Sequence, residues 1–335
     1  MIKSGLHQHG FVLVVTLWIL AIIAIAAAYF ADRVTSSVTA ARQSQLATDA
    51  LVDMSSTRAE ILFRMGASPL SAFGLGVTPQ SAIALDNRAY RGIGQDVVYL
   101  QDSRGLLNLN ISHPEMLLRL LGQAGVAAQN RDAMLDTLSD YIDTDDFRRL
   151  NGAESAQYKS LGLPLPTNDW LVTPWQLQNI IGWRDQAAIW KDRRFLEVVT
   201  TAPVIGFNPN TAPRDALAAL PGSSHEIADN LIVRRALSPF VSLSQFVSVA
   251  GPVGLDSESM IFFPADNIRL TQESDKIPWV LRYQITLTPT ADLAPWRIDY
   301  YIKTSLPSSA QNANKPSPTP LPARVAFSPP ADPAL

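Results

Sequence analysis

The chain has 335 residues, 47% of them hydrophobic and 17% charged, with a net charge of −3. That length supports one large domain or two modest ones, and the composition speaks against both a basic nucleic-acid binder and a fully disordered chain. The absence of cysteine excludes disulfides, cysteine-ligated zinc, iron–sulfur clusters and a thiol nucleophile.

Residues 11–30, FVLVVTLWILAIIAIAAAYF, carry no charge and Thr16 as their polar residue. At about 1.5 Å per residue this stretch matches a hydrocarbon core of about 30 Å, so it predicts a membrane span. The preceding MIKSGLHQHG has Lys3 and no acid. The positive-inside rule therefore keeps residues 1–10 in the cytoplasm and sends the rest outward. A cleaved secretory signal, cut near Ala26–Ala28, is the alternative reading. Beyond the span, Val34, Val38, Ala41, Leu46, Leu51, Met54, Ile61 and Leu62 recur at helical spacing between charged residues. The helix is expected to run on as an amphipathic one until Gly66, with Pro69 just beyond.

Residues 97–100 (VVYL) predict a short strand leading into a turn at 102–105. From about Pro114 to Phe263 the pattern is helical, in short pieces broken by Pro and Gly. Residues 279–305 alternate with period two around a Pro-containing turn, which predicts a hairpin with one buried face. The tail from Pro307 to Leu335 is rich in Pro, Ser, Ala and Asn and is expected to be disordered. The expected class is α+β (α/β in the broad sense): a long N-terminal helix packed on a small antiparallel sheet, with a large all-helical insertion. The segments are a leader at 1–10, the membrane and amphipathic helix at 11–66, an α/β domain at 67–106 and 276–305, the insertion at 107–275 and the tail at 306–335.

Asn108-Leu109-Asn110 before Pro114 echoes Asn208-Pro209-Asn210 before Pro213. Each reads as an Asn-capped turn feeding a helix through a first-turn proline. Leu220 to Gly251 has the form of a helix-hairpin-helix. Its hairpin is not glycine-rich, with Ser223, Ser224 and His225 after Gly222, so it reads as a protein-binding or structural module rather than a phosphate grip.

The chain holds no complete nucleophile, zinc-protease, P-loop or dinucleotide motif. His113 and His225 stand isolated at helix starts, and His7 and His9 lie in the leader. One acidic run, DYIDTDDFRRLNGAE, stands out. With Asp143 at position 1 of a calcium loop, Asp145 takes position 3, Asn151 position 9 and Glu154 position 12, and Asp146 adds a further oxygen. Phe147 and Arg148 break the EF-hand pattern, and the competing reading is a solvated acidic loop paired with Arg148 and Arg149. A calcium-dependent periplasmic hydrolase on a signal anchor, using Asp143, Asp145 and Glu154, is the rival function.

A short leader ending in Gly10, then Phe11, then a hydrophobic helix that becomes amphipathic, resembles the signal of type IV pilins and type II secretion pseudopilins. The chain is similar over almost its whole length to the protein K family of minor pseudopilins in the type II secretion system. The matching features are Val15 where most pseudopilins carry Glu, Asn108-x-Asn110, the Asp140–Asp146 run with Asn151-Gly152-Ala153-Glu154 and Tyr158, and residues 207–213, FNPNTAP. The resemblance implies a prepilin peptidase cut between Gly10 and Phe11 with methylation of the new N-terminus. It also implies a pilin-like fold with a helical insertion, bound calcium, and assembly with minor pseudopilins I and J at the fibre tip. The implied setting is the inner membrane, with the C-terminal domain in the periplasm. The implied role is non-enzymatic, supporting export of folded proteins, with exported proteins as further contacts; the net charge of −3 and the membrane span upstream speak against a nucleic-acid partner.

Overall fold

The computed structural model describes residues 9–94, 96–111, 113–191, 193–252, 254, 258–305 and 317–323. The chain divides into two compact units, residues 1–52 and 53–335. Helix α1, His9–Ala67, supplies the described part of the first. It is the one described helix long and apolar enough to cross a membrane, with a mean hydropathy of 2.9 in its most apolar window. Side chains 11–30 are all exposed, as a lipid-facing helix requires. The Thr16 hydroxyl donates to Leu13 O at 2.9 Å, so the one polar side chain in the span is satisfied within its own helix. Leader residues 1–8 lie outside the described residues, and Gly10 and Phe11 fall in the first turn of α1.

The second unit is built on a six-stranded sheet. After a short hairpin of β1 (Leu70–Ser71) and β2 (Gly74–Leu75) come β3 (Asp86–Arg91) and β4 (Asp96–Asp102). Strands β5 (Leu107–Asn108) and β6 (Val199–Thr200) form a separate parallel pair inside the insertion, which is therefore not wholly helical. Then follow β7 (Asn267–Ser274), β8 (Trp279–Leu287), β9 (Trp296–Ser305) and β10 (Thr319–Pro320). The sheet order is β10-β3-β4-β7-β8-β9, antiparallel except for β10 on β3.

Two further strands depart from expectation. Strand β7 lies within the 107–275 range expected to be helical, yet it pairs from Ile268 to Ser274 with β4 and from Asn267 to Gln272 with β8. Every β7 residue is buried, so its polar residues face protein and the sequence lacks the apolar/polar alternation of a half-exposed strand. The tail is not wholly without structure either. Residues 306–316 and 324–335 lie outside the described residues, but Thr319 and Pro320 pair with Tyr90 and Arg91, and Arg64 Nη1 donates to Pro322 O at 2.7 Å. An outermost strand accepts proline because its N–H is not needed on the open side.

Both faces of the sheet's centre are covered. Residues 53–67 of α1 lie on one face, where Gln272 Nε2 donates to Met54 O at 2.7 Å and Arg58 hydrogen-bonds the Tyr283 hydroxyl, its guanidinium 4.9 Å from the ring. The other face carries Gln101, Arg269, Thr271, Arg282 and Gln284, all buried. Gln101 Nε2 donates to Thr211 O at 3.0 Å, and Arg269 Nη2 to Glu197 O at 2.7 Å. Strand β8 thus has two buried faces rather than one, with Arg282 on its polar face paired by Glu197 of the insertion and Gln284 bonded to Ser103.

The insertion holds α2 (Pro114–Gln123), α3 (Ala128–Ile142), α4 (Ser155–Ser160), α5 (Ala187–Trp190), α6 (Arg194–Glu197), α7 (Arg214–Ala218), α8 (His225–Leu237) and α9 (Leu243–Ala250). They enclose one core around Leu117, Leu138, Trp183, Leu217, Leu231 and Phe246. The Asn-x-Asn echo marks two similar halves, although neither asparagine caps a helix. The caps are His113 for α2 and Pro213 for α7, so Pro213 sits one position earlier than expected. In both, the first asparagine's Oδ1 accepts from the second's N–H, at 2.9 Å for Asn110 and 3.1 Å for Asn210. The helix-hairpin-helix segment forms α8 and α9, with Ser224 capping α8 through Ile227 N and Ser242 capping α9 through Gln245 N.

Candidate metal centre

Helix α3 ends on Asp140, Tyr141 and Ile142, and Asp143 follows as its C-cap, so two carboxylates three residues apart come to one side of the helix end. The chain loops through 144–153 and returns at Glu154, the N-cap of α4. Asp140, Asp143 and Glu154 each point one carboxylate oxygen into a common space, all within 4.8 Å of one another. Asp140 is fully buried and Glu154 is 3% exposed.

Arg149 partly offsets this concentration of charge. Its Nη1 lies 2.6 Å from Asp140 Oδ1 and 2.5 Å from Asp143 Oδ2, and its backbone N–H donates to Asp140. The two carboxylates push the Arg149 pKa up in return. Glu154 receives no such help. Neither of its carboxylate oxygens has a hydrogen-bond partner, and Asp143 Oδ1 is also orphaned. Burial, and then repulsion from Asp140 and Asp143, push Glu154 up to about 7. Gly152 makes the approach possible, since a Cβ there would stand 1.9 Å from Asp140 Oδ2. Orphaned buried oxygens, an all-oxygen donor set and excess negative charge fit a hard divalent cation such as calcium.

The residues expected to bind metal lie in different settings. The structure brings Asp143 and Glu154 together and adds Asp140, which the loop count from Asp143 left outside. Asp145 and Asp146 are exposed and turned to other work: Asp145 Oδ1 accepts from Phe147 N at 2.8 Å, and Asp146 Oδ1 from Ser155 Oγ at 2.8 Å. Asn151 donates through N and Nδ2 to Asp136 Oδ2, at 3.0 and 3.2 Å. The missed signal was the spacing Asp140-x-x-Asp143 at a helix end, which puts both side chains on one face. No histidine or serine nucleophile joins this group among the described residues. His113 caps α2 without a side-chain bond, and His225 Nε2 stands 3.5 Å from Asp215 Oδ1. The hydrolase reading loses Asp145 from its trio. Val15 lies on α1, in the other unit.

Residues 100–198, which include the carboxylate group, match the model of the family described as type II secretion system protein K. No curated protein sequence matches the chain. Among solved structures, it is similar to a chain of the GspK–GspI–GspJ complex from the enterotoxigenic Escherichia coli type 2 secretion system. Identity is 15%, the TM-score is 0.53, and the match covers 79% of this chain and 99% of that one. The fold, a long N-terminal helix on an antiparallel sheet with further helices, is thus shared with that chain, and residues 100–198 are similar to the protein K family of the type II secretion system.

Proposed function

We propose that this chain is a non-enzymatic minor pseudopilin that caps the pseudopilus and supports export of folded proteins across the outer membrane. The observation that carries the reading is the protein K match over residues 100–198, the segment that also holds the carboxylate group. The apolar helix fits a single-pass anchor in the inner membrane, with the remainder of the chain in the periplasm. The processing site is Gly10–Phe11, cut by a prepilin peptidase and then methylated. The similar solved chain comes from a complex with GspI and GspJ, so minor pseudopilins I and J are the proposed partners. Calcium is the proposed ligand of Asp140, Asp143 and Glu154, joined by backbone carbonyls or water to reach the six to eight oxygens it takes.

Val15 supports a terminal position. A carboxylate at this place in a packed helical fibre needs a neighbour's positively charged N-terminus to offset its burial. Val15 avoids that requirement, and a subunit at the fibre end has no neighbour above it to supply the charge. The test is mass analysis of the mature N-terminus together with cross-linking from cysteines at Val38 and Met54. Methylated Phe11 and heteromeric products with I and J support the reading. An intact Met1, cleavage after Ala28, or homomeric ladders along the fibre overturn it.

A further inference from the structure

A second constellation lies away from the carboxylate group, where α8 and the β1–β2 hairpin meet the start of β3. A cavity of about 290 Å³ opens there, its lining including the apolar Phe73 and Ile232 together with Tyr90, Asp86, Arg88 and Arg235. Arg235 is half-buried, and its Nη1 donates to Pro209 O and Ala212 O, both at 2.7 Å. No carboxylate pairs with it among the described residues. The nearest acid, Asp86, is held in a two-pronged pair by Arg88, Nε to Oδ1 at 2.8 Å and Nη2 to Oδ2 at 2.6 Å. Burial pulls the Arg235 pKa down to about 10, with Asp86 only partly offsetting it and Arg88 adding repulsion.

Tyr90 contributes a second uncommitted donor. Its hydroxyl oxygen accepts from Ala84 N at 2.8 Å, while its proton meets no acceptor among the described residues. Burial raises its pKa, so the proton stays on. Two guanidiniums against one already paired carboxylate leave the cavity with a net positive charge. A half-buried arginine beside a cavity is costly without an anion, and a planar guanidinium with a hydroxyl donor matches a carboxylate's two oxygens.

We propose that this cavity binds a carboxylate carried on a small apolar group. The carboxylate lies on Arg235 and the Tyr90 hydroxyl, and the apolar body lies against Phe73 and Ile232. The volume is at the lower end for ligand pockets, which suits one or two residues at a peptide's carboxyl end or a free branched-chain acid. The site is independent of the secretion role proposed above, and either can stand without the other.

The probes are acetyl-alanyl-leucine, its C-terminal amide and 4-methylpentanoate, titrated by calorimetry into the full chain in detergent. Binding of the dipeptide acid at least tenfold tighter than its amide is expected. Comparable binding of 4-methylpentanoate identifies a free acid as sufficient, and its failure beside a binding dipeptide identifies the peptide terminus; both outcomes support the site. Arg235→Gln should weaken the acid about tenfold or more, the loss of one charge-assisted bond. Because Arg235 also ties down two carbonyls, Tyr90→Phe, which removes the hydroxyl and with it a single bond from Ala84 N, serves as the second variant and should weaken the acid several-fold while the protein stays folded. Equal binding of acid and amide, no binding of any probe at 10 mM, or an unaltered affinity in both variants overturns the proposal.

Discussion

The Glu197 carboxylate, at the end of α6, closes on the Arg282 guanidinium in the middle of the sheet, with Nη2 2.8 Å from Oε1 and 2.7 Å from Oε2. Arg282 is 5% exposed and Arg269 beside it 3%. Arg269 donates to the Glu197 carbonyl, and the Trp175 ring lies 5.6 Å from the Arg282 guanidinium carbon. One acid of the insertion therefore neutralises two arginines of the sheet. Glu197→Gln should destabilise the second unit by about 3 kcal/mol, since it leaves two buried cations without a counter-charge. A thermal melt of the variant reads this directly. The double variant Glu197→Gln with Arg282→Met should recover part of the loss, and a double variant as unstable as the sum of the singles would show that the pair is not coupled.

The two asparagine turns predict a local rather than a global effect. Asn110 Nδ2 donates to Leu171 O and Thr201 O while its Oδ1 accepts from Leu171 N at 2.8 Å. Asn210 does the same in the second half, with Phe240 O, Phe262 O and, at 2.8 Å, Phe240 N. Each side chain replaces the missing strand partner of a distant loop. Asn210→Ala should cost about 1–3 kcal/mol, the penalty of leaving a buried N–H unpaired. It should speed amide exchange at Phe240 and leave Leu171 protected, and Asn110→Ala should do the reverse. Equal effects at both amides in both variants would refute the assignment.

These turns also mark what the sequence could tell. The asparagines are visible as a repeated motif, but their partners lie far along the chain and carry no local pattern. The long α1 and the β8–β9 hairpin were legible because period 3.6 and period two persist over many residues. Strand β7 was not, because its buried polar residues serve distant partners: Arg269 bonds Glu197 of the insertion, Thr271 accepts from Arg282 on β8 and Glu273 from Tyr99 on β4. The carboxylate group was half legible: an acidic run announces itself, while the choice of Asp140 over Asp145 depends on where α3 stops.

Asp96 predicts an unusual pH dependence. It is 1% exposed, its Oδ2 accepts from Gln272 Nε2 at 3.1 Å, and its Oδ1 has no partner. Burial outweighs these bonds and raises the carboxyl to about 6. The folded state thus holds a proton that the unfolded chain releases near its ordinary 3.8. Stability from this group is present below that value and is lost as pH rises through about 6. Asp96→Asn should melt higher than the parent at pH 7, by an amount worth about 1–3 kcal/mol, and the gap should close by pH 4. A gap that is constant across this range would exclude Asp96 as its source.

The carboxylate group yields the last prediction. In the absence of metal, Arg149 supplies the positive charge between Asp140 and Asp143, but it does not reach the orphaned Glu154 oxygens. A divalent cation bound by all three carboxylates would satisfy Glu154 and would compete with the Arg149 guanidinium for the charge of Asp140 and Asp143. Two consequences follow from that competition. Calcium should raise the melting temperature, because it binds the folded site and not the unfolded chain. Arg149→Gln should lower the metal-free melting temperature and widen the gain on adding calcium, since the displaced competitor is gone while the three ligands remain. Asp140→Asn and Glu154→Gln should abolish the gain, whereas Asp145→Asn should keep it, because Asp145 lies outside the group. Melting curves with chelator and with millimolar calcium separate these cases. An Arg149→Gln protein with the parent's calcium response, or an Asp145→Asn protein with none, would remove the three-carboxylate assignment.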